Sequence, residues 1–154
     1  MCEDDIEAVF SIEIVGFNTP WTRTSFYDEL RNPLSMLKVA ESNGNVVGYV
    51  CSSHVYNEGH LLNLAVSVLY RKMGIACLLV KTALKDLKAY DCEMVYLEVR
   101  ASNKIAVSMY EKLDFIQYDK RKNYYRNPRE DAILMIYDLS EDKLISYSHT
   151  PAIG

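Results

Sequence analysis

The segment from Leu64 to Val80 changes period halfway along. Up to about Val68 it is an apolar run of strand length. From Gly74 onward, Ile75, Leu79, Ala83 and Leu87 recur every four residues, and Lys81, Lys85 and Lys88 fall outside that stripe, which is a helical pattern. Between them lies a short basic loop, Arg71-Lys72-Met73-Gly74. A strand that turns directly into an amphipathic helix has few places to go. The helix packs back on the sheet, and the next apolar run, residues 92–100, returns as a parallel strand through a right-handed crossover. An α/β fold follows, with one mixed sheet and helices on both faces.

The same junction has chemical potential. The first turn of a helix leaves backbone N–H groups unpaired and carries partial positive charge, so it attracts phosphate oxygens. Gly74 has no Cβ to block a close approach, and Arg71 and Lys72 add positive charge. Two better-defined phosphate signatures, G-x-x-x-x-G-K-[ST] and G-x-G-x-x-G, are absent. One glycine at a helix start fits ordinary close packing or a solvated basic turn equally well.

The remaining pattern is consistent with this frame. Residues 4–16 read as a helix capped by Asp4 or Asp5, with Ile6, Val9, Phe10 and Ile14 on one face. Thr22 caps a second short helix ending near Leu30. Asn43-Gly44 between two apolar runs signals a hairpin, and residues 60–68 form its neighbouring strand. Residues 103–113 read as a helix, and two strands close the sequence before residue 140. The expected domain is 1–140, with 141–154 as a C-terminal tail.

The bulk properties narrow the function classes. With 154 residues the chain fits one domain, and its formal net charge of −4 argues against a nucleic acid held on a basic face. None of the four cysteines forms a C-x-x-C pair or a zinc spacing. No metal is expected. No apolar run reaches the ~18 residues of a membrane span, and the acidic first residues are unlike a secretory signal. A cytoplasmic protein, monomeric or weakly homodimeric and not membrane-bound, is expected.

Longer segments carry a family resemblance. Arg-x-x-Gly-x-Ala at 71–76 follows a strand and opens a helix. YLEVRASNKIAVSMYEKLDF (96–115), NYYRNPREDAILM (123–135) and TPWT (19–22) come in order around it. Together they resemble the GNAT superfamily of N-acetyltransferases, and within it the ribosomal-protein alanine N-acetyltransferases (RimI). The likeness spans residues 5–140.

The resemblance implies acetyl-CoA as cosubstrate and a strand splayed from its neighbour to pair with the pantetheine arm. Leu64, Ala65 and Val66 match that strand, although three core residues would look the same. The pyrophosphate contacts map to Arg71, Lys72, Met73, Gly74, Ile75 and Ala76, with Cys77 ending the turn. Glu98 matches the general base; a solvent-facing glutamate on a half-buried strand is the plainer account. An inward Glu98 would be costly unless paired or used. Asn103 matches a residue bonded to the cofactor's amide region and is equally suited to cap a helix. Tyr110 lies two turns beyond Asn103 and matches the acid that protonates the leaving thiolate, in a chain with twelve tyrosines. The backbone amide of Val66 is assigned to polarise the acetyl carbonyl. Trp21 and Tyr27 by the early loop, and Tyr124 and Tyr125 before the last strand, would wall the acceptor site. Glu130 and Asp131 could hold a cation or simply solvate a turn.

The implied activity is acetyl transfer to a protein N-terminal α-amine, with a ribosomal protein's N-terminal alanine first in line. A broad archaeal-type N-terminal acetyltransferase, an enzyme for small amines or lysine side chains, and a non-catalytic acetyl-CoA-binding module are the alternatives. Three departures stand out. Ser67-Val68-Leu69-Tyr70 lacks the proline common before the loop. Asp114 replaces a glycine. The early helix leaves little room for the family's first strand.

Overall fold

Asn43 and Gly44 both adopt positive φ, 51° and 79°. This is the geometry that matches a tight turn to the right-handed twist of two strands. It joins β1 (Ser35–Ser42) to β2 (Asn45–Val55). In the computed structural model, which describes residues 1–140, the order is α1 (Ile6–Gly16), α2 (Arg23–Arg31), β1, β2, β3 (Glu58–Val66), α3 (Ile75–Ala89), β4 (Met94–Arg100), α4 (Lys104–Lys112), β5 (Ile116–Arg126) and β6 (Arg129–Asp138). This is the sequence of elements that periodicity predicts. The expected tail, 141–154, lies outside the described residues. No helix among those described is long and apolar enough to cross a membrane.

The six strands form one sheet in the order β1-β2-β3-β4-β6-β5. Only β3 and β4 are parallel. Both faces are covered over β2, because strand side chains alternate. Tyr49 and Cys51 join Ile6, Val9, Ile12 and Phe26 beneath α1 and α2. Val50 faces the other way, against Leu79, Val80, Ala83 and Leu87 of α3. Each fully buried aliphatic of this kind contributes about 1.5–3 kcal/mol.

Three local expectations resolve here. Thr22 does cap α2, its Oγ1 accepting from Ser25 N at 3.1 Å. Asp114 takes the left-handed conformation (φ 69°) that the family's glycine would supply. The apolar face of α1 is corrected: Ile14 is half exposed, and Ile6, Val9, Ile12 and Glu13 are buried. The true stripe runs 6, 9, 13 at helical spacing, and a glutamate interrupts it. No strand precedes α1 among the described residues; instead the Met1 amino group donates to Leu37 O at 3.1 Å.

Gly48 on β2 sits where its neighbours leave no room. A Cβ there would lie 3.1 Å from the Ala65 carbonyl oxygen, 3.2 Å from Leu79 and 3.3 Å from Val66. Gly48→Ala is expected to cost about 1–3 kcal/mol by pressing β3 and α3 outward, read as a lower urea midpoint at unchanged slope.

Candidate active site

Parallel pairing between β3 and β4 covers only Glu58↔Met94, Gly59↔Val95 and His60↔Tyr96. Beyond that point the strands separate. The bulge on β3 accompanies the separation: Cys51 pairs with Asn63 and Ser52 with Leu61, leaving Leu62 unpaired. Bulges bend a strand and re-aim its side chains. The splayed strand expected at Leu64, Ala65 and Val66 is therefore present.

A cleft of about 490 Å³ opens in the gap. One wall is Leu61 to Leu64, another Leu97 to Arg100 with Asn103, Ala106 and Tyr110, and the far end is the α1–α2 loop through Trp21 together with Tyr125. Six of the expected site residues thus meet: Trp21, Leu64, Glu98, Asn103, Tyr110 and Tyr125. Val66 and Ala65 do not line this cleft. Leu64 does, and its N–H is held at 3.0 Å by the Asn63 side-chain oxygen. Tyr27 does not line the cleft; half-buried, it packs against the core under α1 and α2, with Arg31 5.8 Å from its ring. Tyr124 stays on the rim, half exposed and edge-on to Tyr125 at 5.1 Å.

Tyr110 is 7% exposed and meets Phe115 edge-on at 5.5 Å. Burial, with a smaller contribution from Tyr125, pushes its phenol well above the usual value, so it is a protonated donor at neutral pH. The Tyr125 phenol is pushed up to about 12, first by burial, then by the neighbouring Tyr124 and Glu98. Glu98 is exposed on the cleft side of β4, between buried Leu97 and Val99. Of the two placements open to Glu98, the structure shows the solvent-facing one: this face of β4 is open to the cleft, so the carboxylate stays hydrated. Asn103 is a cap, its Oδ1 accepting from Ala106 N at 3.2 Å.

The basic loop lies past the end of β3. Lys72 and Gly74 have positive φ, 62° and 81°, and no side chain caps α3. The N–H groups of Ile75, Ala76 and Cys77 are therefore free of side-chain acceptors, and a Cβ on Gly74 would meet open space. Met73 is exposed. Arg71 also has a partner within the chain. Its Nε donates to Val66 O at 3.0 Å, because a splayed strand leaves that carbonyl without a ladder partner. Burial raises the Cys51 and Cys92 thiols, which makes them poor nucleophiles. Among the described residues no cluster of His, Cys, Asp or Glu is arranged to hold a metal.

Sequence reasoning passed over three residues. Glu13 and Asn63 line the cleft and bond to each other at 3.1 Å. Arg100 ties the β5–β6 hairpin to β4. It donates to Pro128 O and Glu130 at 3.0 Å and to Asn127 O at 3.1 Å, and lies 4.2 Å over the Tyr125 ring. Glu130 is held below the usual carboxylate range by Ser102 and Arg100. Asp131 is held low by Asn123 N and Lys120. Both acids are thus engaged by cations of this chain, Glu130 by Arg100 and Asp131 by Lys120, rather than offered to an incoming one.

The family model described as the acetyltransferase (GNAT) family matches residues 6–115. The chain belongs to the acetyltransferase (GNAT) family. A Bacillus subtilis protein provisionally named a ribosomal protein bS18-alanine N-acetyltransferase is 35% identical over 90% of this chain and 92% of its own. An N-alpha-acetyltransferase of Sulfurisphaera tokodaii is 31% identical over 85% and 86%. The crystal structure of the Escherichia coli ribosomal-protein-S18-alanine N-acetyltransferase superposes with a TM-score of 0.84 at 29% identity, covering 92% of each chain. This chain is accordingly an acetyl-CoA-dependent acetyltransferase.

The Arg100 contacts generate a test. Hydrogen bonds from a charged donor contribute about 1.5–3 kcal/mol each. Arg100→Ala is expected to speed tryptic cleavage after Arg126 and Arg129 by about tenfold or more, with the far-UV spectrum unchanged.

Proposed function

We propose that this acetyltransferase acetylates the α-amine of polypeptide N-termini, with a ribosomal protein beginning in alanine as the first candidate acceptor. The observation that carries the reading is the joint placement of Glu98, Tyr110, Trp21 and Tyr125 on one cleft in the β3–β4 gap. The names of the relatives support the acceptor.

The cofactor's pyrophosphate is assigned to the uncapped turn Gly74 to Cys77, with Lys72 as countercharge. The pantetheine arm is assigned to the open edge of Leu64 to Val66, by backbone pairing that needs no particular side chain. The amide that polarises the acetyl carbonyl is assigned to Leu64 rather than Val66, since Leu64 is the one on the cleft. Asn63 would surrender that N–H when the carbonyl arrives.

An α-ammonium has a pKa near 8, against about 10.4 for lysine. A hydrated carboxylate such as Glu98 can accept its proton through water. The neutral nitrogen then attacks the thioester carbon; the C–N bond forms and the C–S bond breaks. Tyr110 gives its proton to the departing sulfur, yielding the free thiol. The second nitrogen proton leaves to solvent as the amide forms, and Tyr110 is reprotonated from water. Trp21, Tyr124 and Tyr125 form aromatic walls with polar tips around the entering chain. Tyr27, half-buried against the core and off the cleft lining, is left a supporting role.

A panel of peptides with different first residues, and a lysine peptide with a blocked N-terminus, tests the acceptor. Turnover of N-terminal peptides, highest with alanine first, is expected; turnover of the lysine peptide alone would overturn the reading. Tyr110→Phe is expected to lower kcat about a hundredfold or more, with the acceptor KM little changed. Because burial raises the Tyr110 phenol, it stays protonated as pH rises. The wild-type rate is therefore expected to climb through the amine's pKa near 8 and then hold level to pH 9.5. A decline between pH 8 and 9.5 traceable to Tyr110 would count against it as the acid.

A further inference from the structure

Glu13 is 1% exposed, on a helix whose neighbouring buried residues are Ile6, Val9 and Ile12. Taking a carboxylate out of water costs several kcal/mol, and a well-packed apolar side chain would serve stability as well. Among the described residues no Lys, Arg or His forms an ion pair with it. Three neutral donors do the work instead, one from each of three elements. Trp21 N donates to Oε1 at 2.8 Å from the α1–α2 loop. Tyr49 OH donates to Oε2 from β2. Asn63 Nδ2 donates to Oε2 at 3.1 Å from the bulge on β3.

The orientation of Asn63 is settled by its two partners. A carboxylate only accepts, so Nδ2 faces Glu13; a backbone N–H only donates, so Oδ1 faces Leu64 N. A continuous chain of hydrogen bonds thus runs from Trp21 N through Glu13 and Asn63 to Leu64 N. Aromatic contacts close the circuit behind it. The Trp21 ring lies 5.2 Å from Phe26, and Phe26 meets Tyr49 edge-on at 5.5 Å. Gly16, Phe17, Asn18, Thr19 and Trp21, the residues this circuit anchors, form the acceptor end of the cleft.

We propose that Glu13 is a positioning residue that fixes the acceptor loop to the cofactor strand, and so sets the affinity for the acceptor amine. It rests on the reading that the acceptor enters past Trp21. The requirement is for a group that accepts at both oxygens. Glutamine in either orientation turns an NH2 toward Trp21 N or toward Asn63 Nδ2, so one link of the chain is lost at nearly constant volume.

Trp21 is the single tryptophan of the chain, so its fluorescence reports on the loop with no acceptor present. In Glu13→Gln, acrylamide quenching of Trp21 is expected to rise about twofold and the acceptor KM about tenfold. Acetyl-CoA affinity by direct titration should stay within twofold. Tyr49→Phe, which removes one donor and leaves Trp21 bonded, should shift the acceptor KM the same way by about two- to threefold. Unchanged quenching and acceptor KM in Glu13→Gln, or an equal loss of acetyl-CoA and acceptor affinity, would overturn the proposal. Should Glu13→Gln not fold, an unmoved acceptor KM in Tyr49→Phe decides against it. If the wild type proves to use another amine, the KM split is measured on that amine, and the N-terminal reading falls without deciding the role of Glu13.

Discussion

Everything at the cleft depends on β3 and β4 ceasing to pair after His60 and Tyr96. Two parallel strands that stayed paired would bury their backbone groups in a ladder and leave no space between them. Here the ladder ends after three residue pairs. The backbone edge of Leu64 to Val66 is then open, and two of its polar groups find temporary or local partners. Leu64 N–H takes the side chain of Asn63, and Val66 O takes Arg71. These substitutes keep the open edge satisfied at low cost. They also show why a basic residue is useful at position 71 apart from any phosphate.

The helix termini around the gap are treated differently. α2 and α4 are capped by their own side chains, Thr22 and Asn103. α3 is not, and it begins after a left-handed glycine with open space above it. A helix end left without a side-chain acceptor is free to bind an anion. α1 also lacks a side-chain cap, so what sets α3 apart is the left-handed Gly74 before it and the open space above that glycine.

Much of the fold was legible because local and tertiary preferences agree. Asn43-Gly44 specified its hairpin, and the four-residue repeat of α3 specified its buried face. Six of the residues that the resemblance singles out line one cleft. The departures have separate causes. Residue type puts Ile14 on the apolar face of α1, whereas the buried position at helical spacing from Ile6 and Val9 is Glu13. A buried carboxylate is visible only once its donors are known, and Trp21, Tyr49 and Asn63 lie 8, 36 and 50 residues away. Tyr27 lies off the cleft lining for another reason: an aromatic near a binding loop is also what packs against the core beneath it. Arg100 and the bulge at Leu62 depend on strand register, which residue types do not encode.

The two ends of the cleft are stiffened by different means, and the difference fits their surroundings. The hairpin bearing Tyr124 and Tyr125 is nearer to water, and a guanidinium holds it: Arg100 reaches two carbonyls, one carboxylate and one ring at once. A planar group with five donors suits that task, and lysine could not span it. The loop bearing Trp21 sits over a dry core, where a guanidinium would need its own counter-ion. A single acceptor-only group satisfied by neutral donors suits that place better, and Glu13 is such a group. Glu98 differs from both. It is on the same cleft but makes no hydrogen bond among the described residues and keeps its hydration, so it can exchange protons. Of the two acids lining the cleft, Glu13 is immobilised by its partners, whereas Glu98 is exposed and unencumbered, which is what the proposed role as proton acceptor requires.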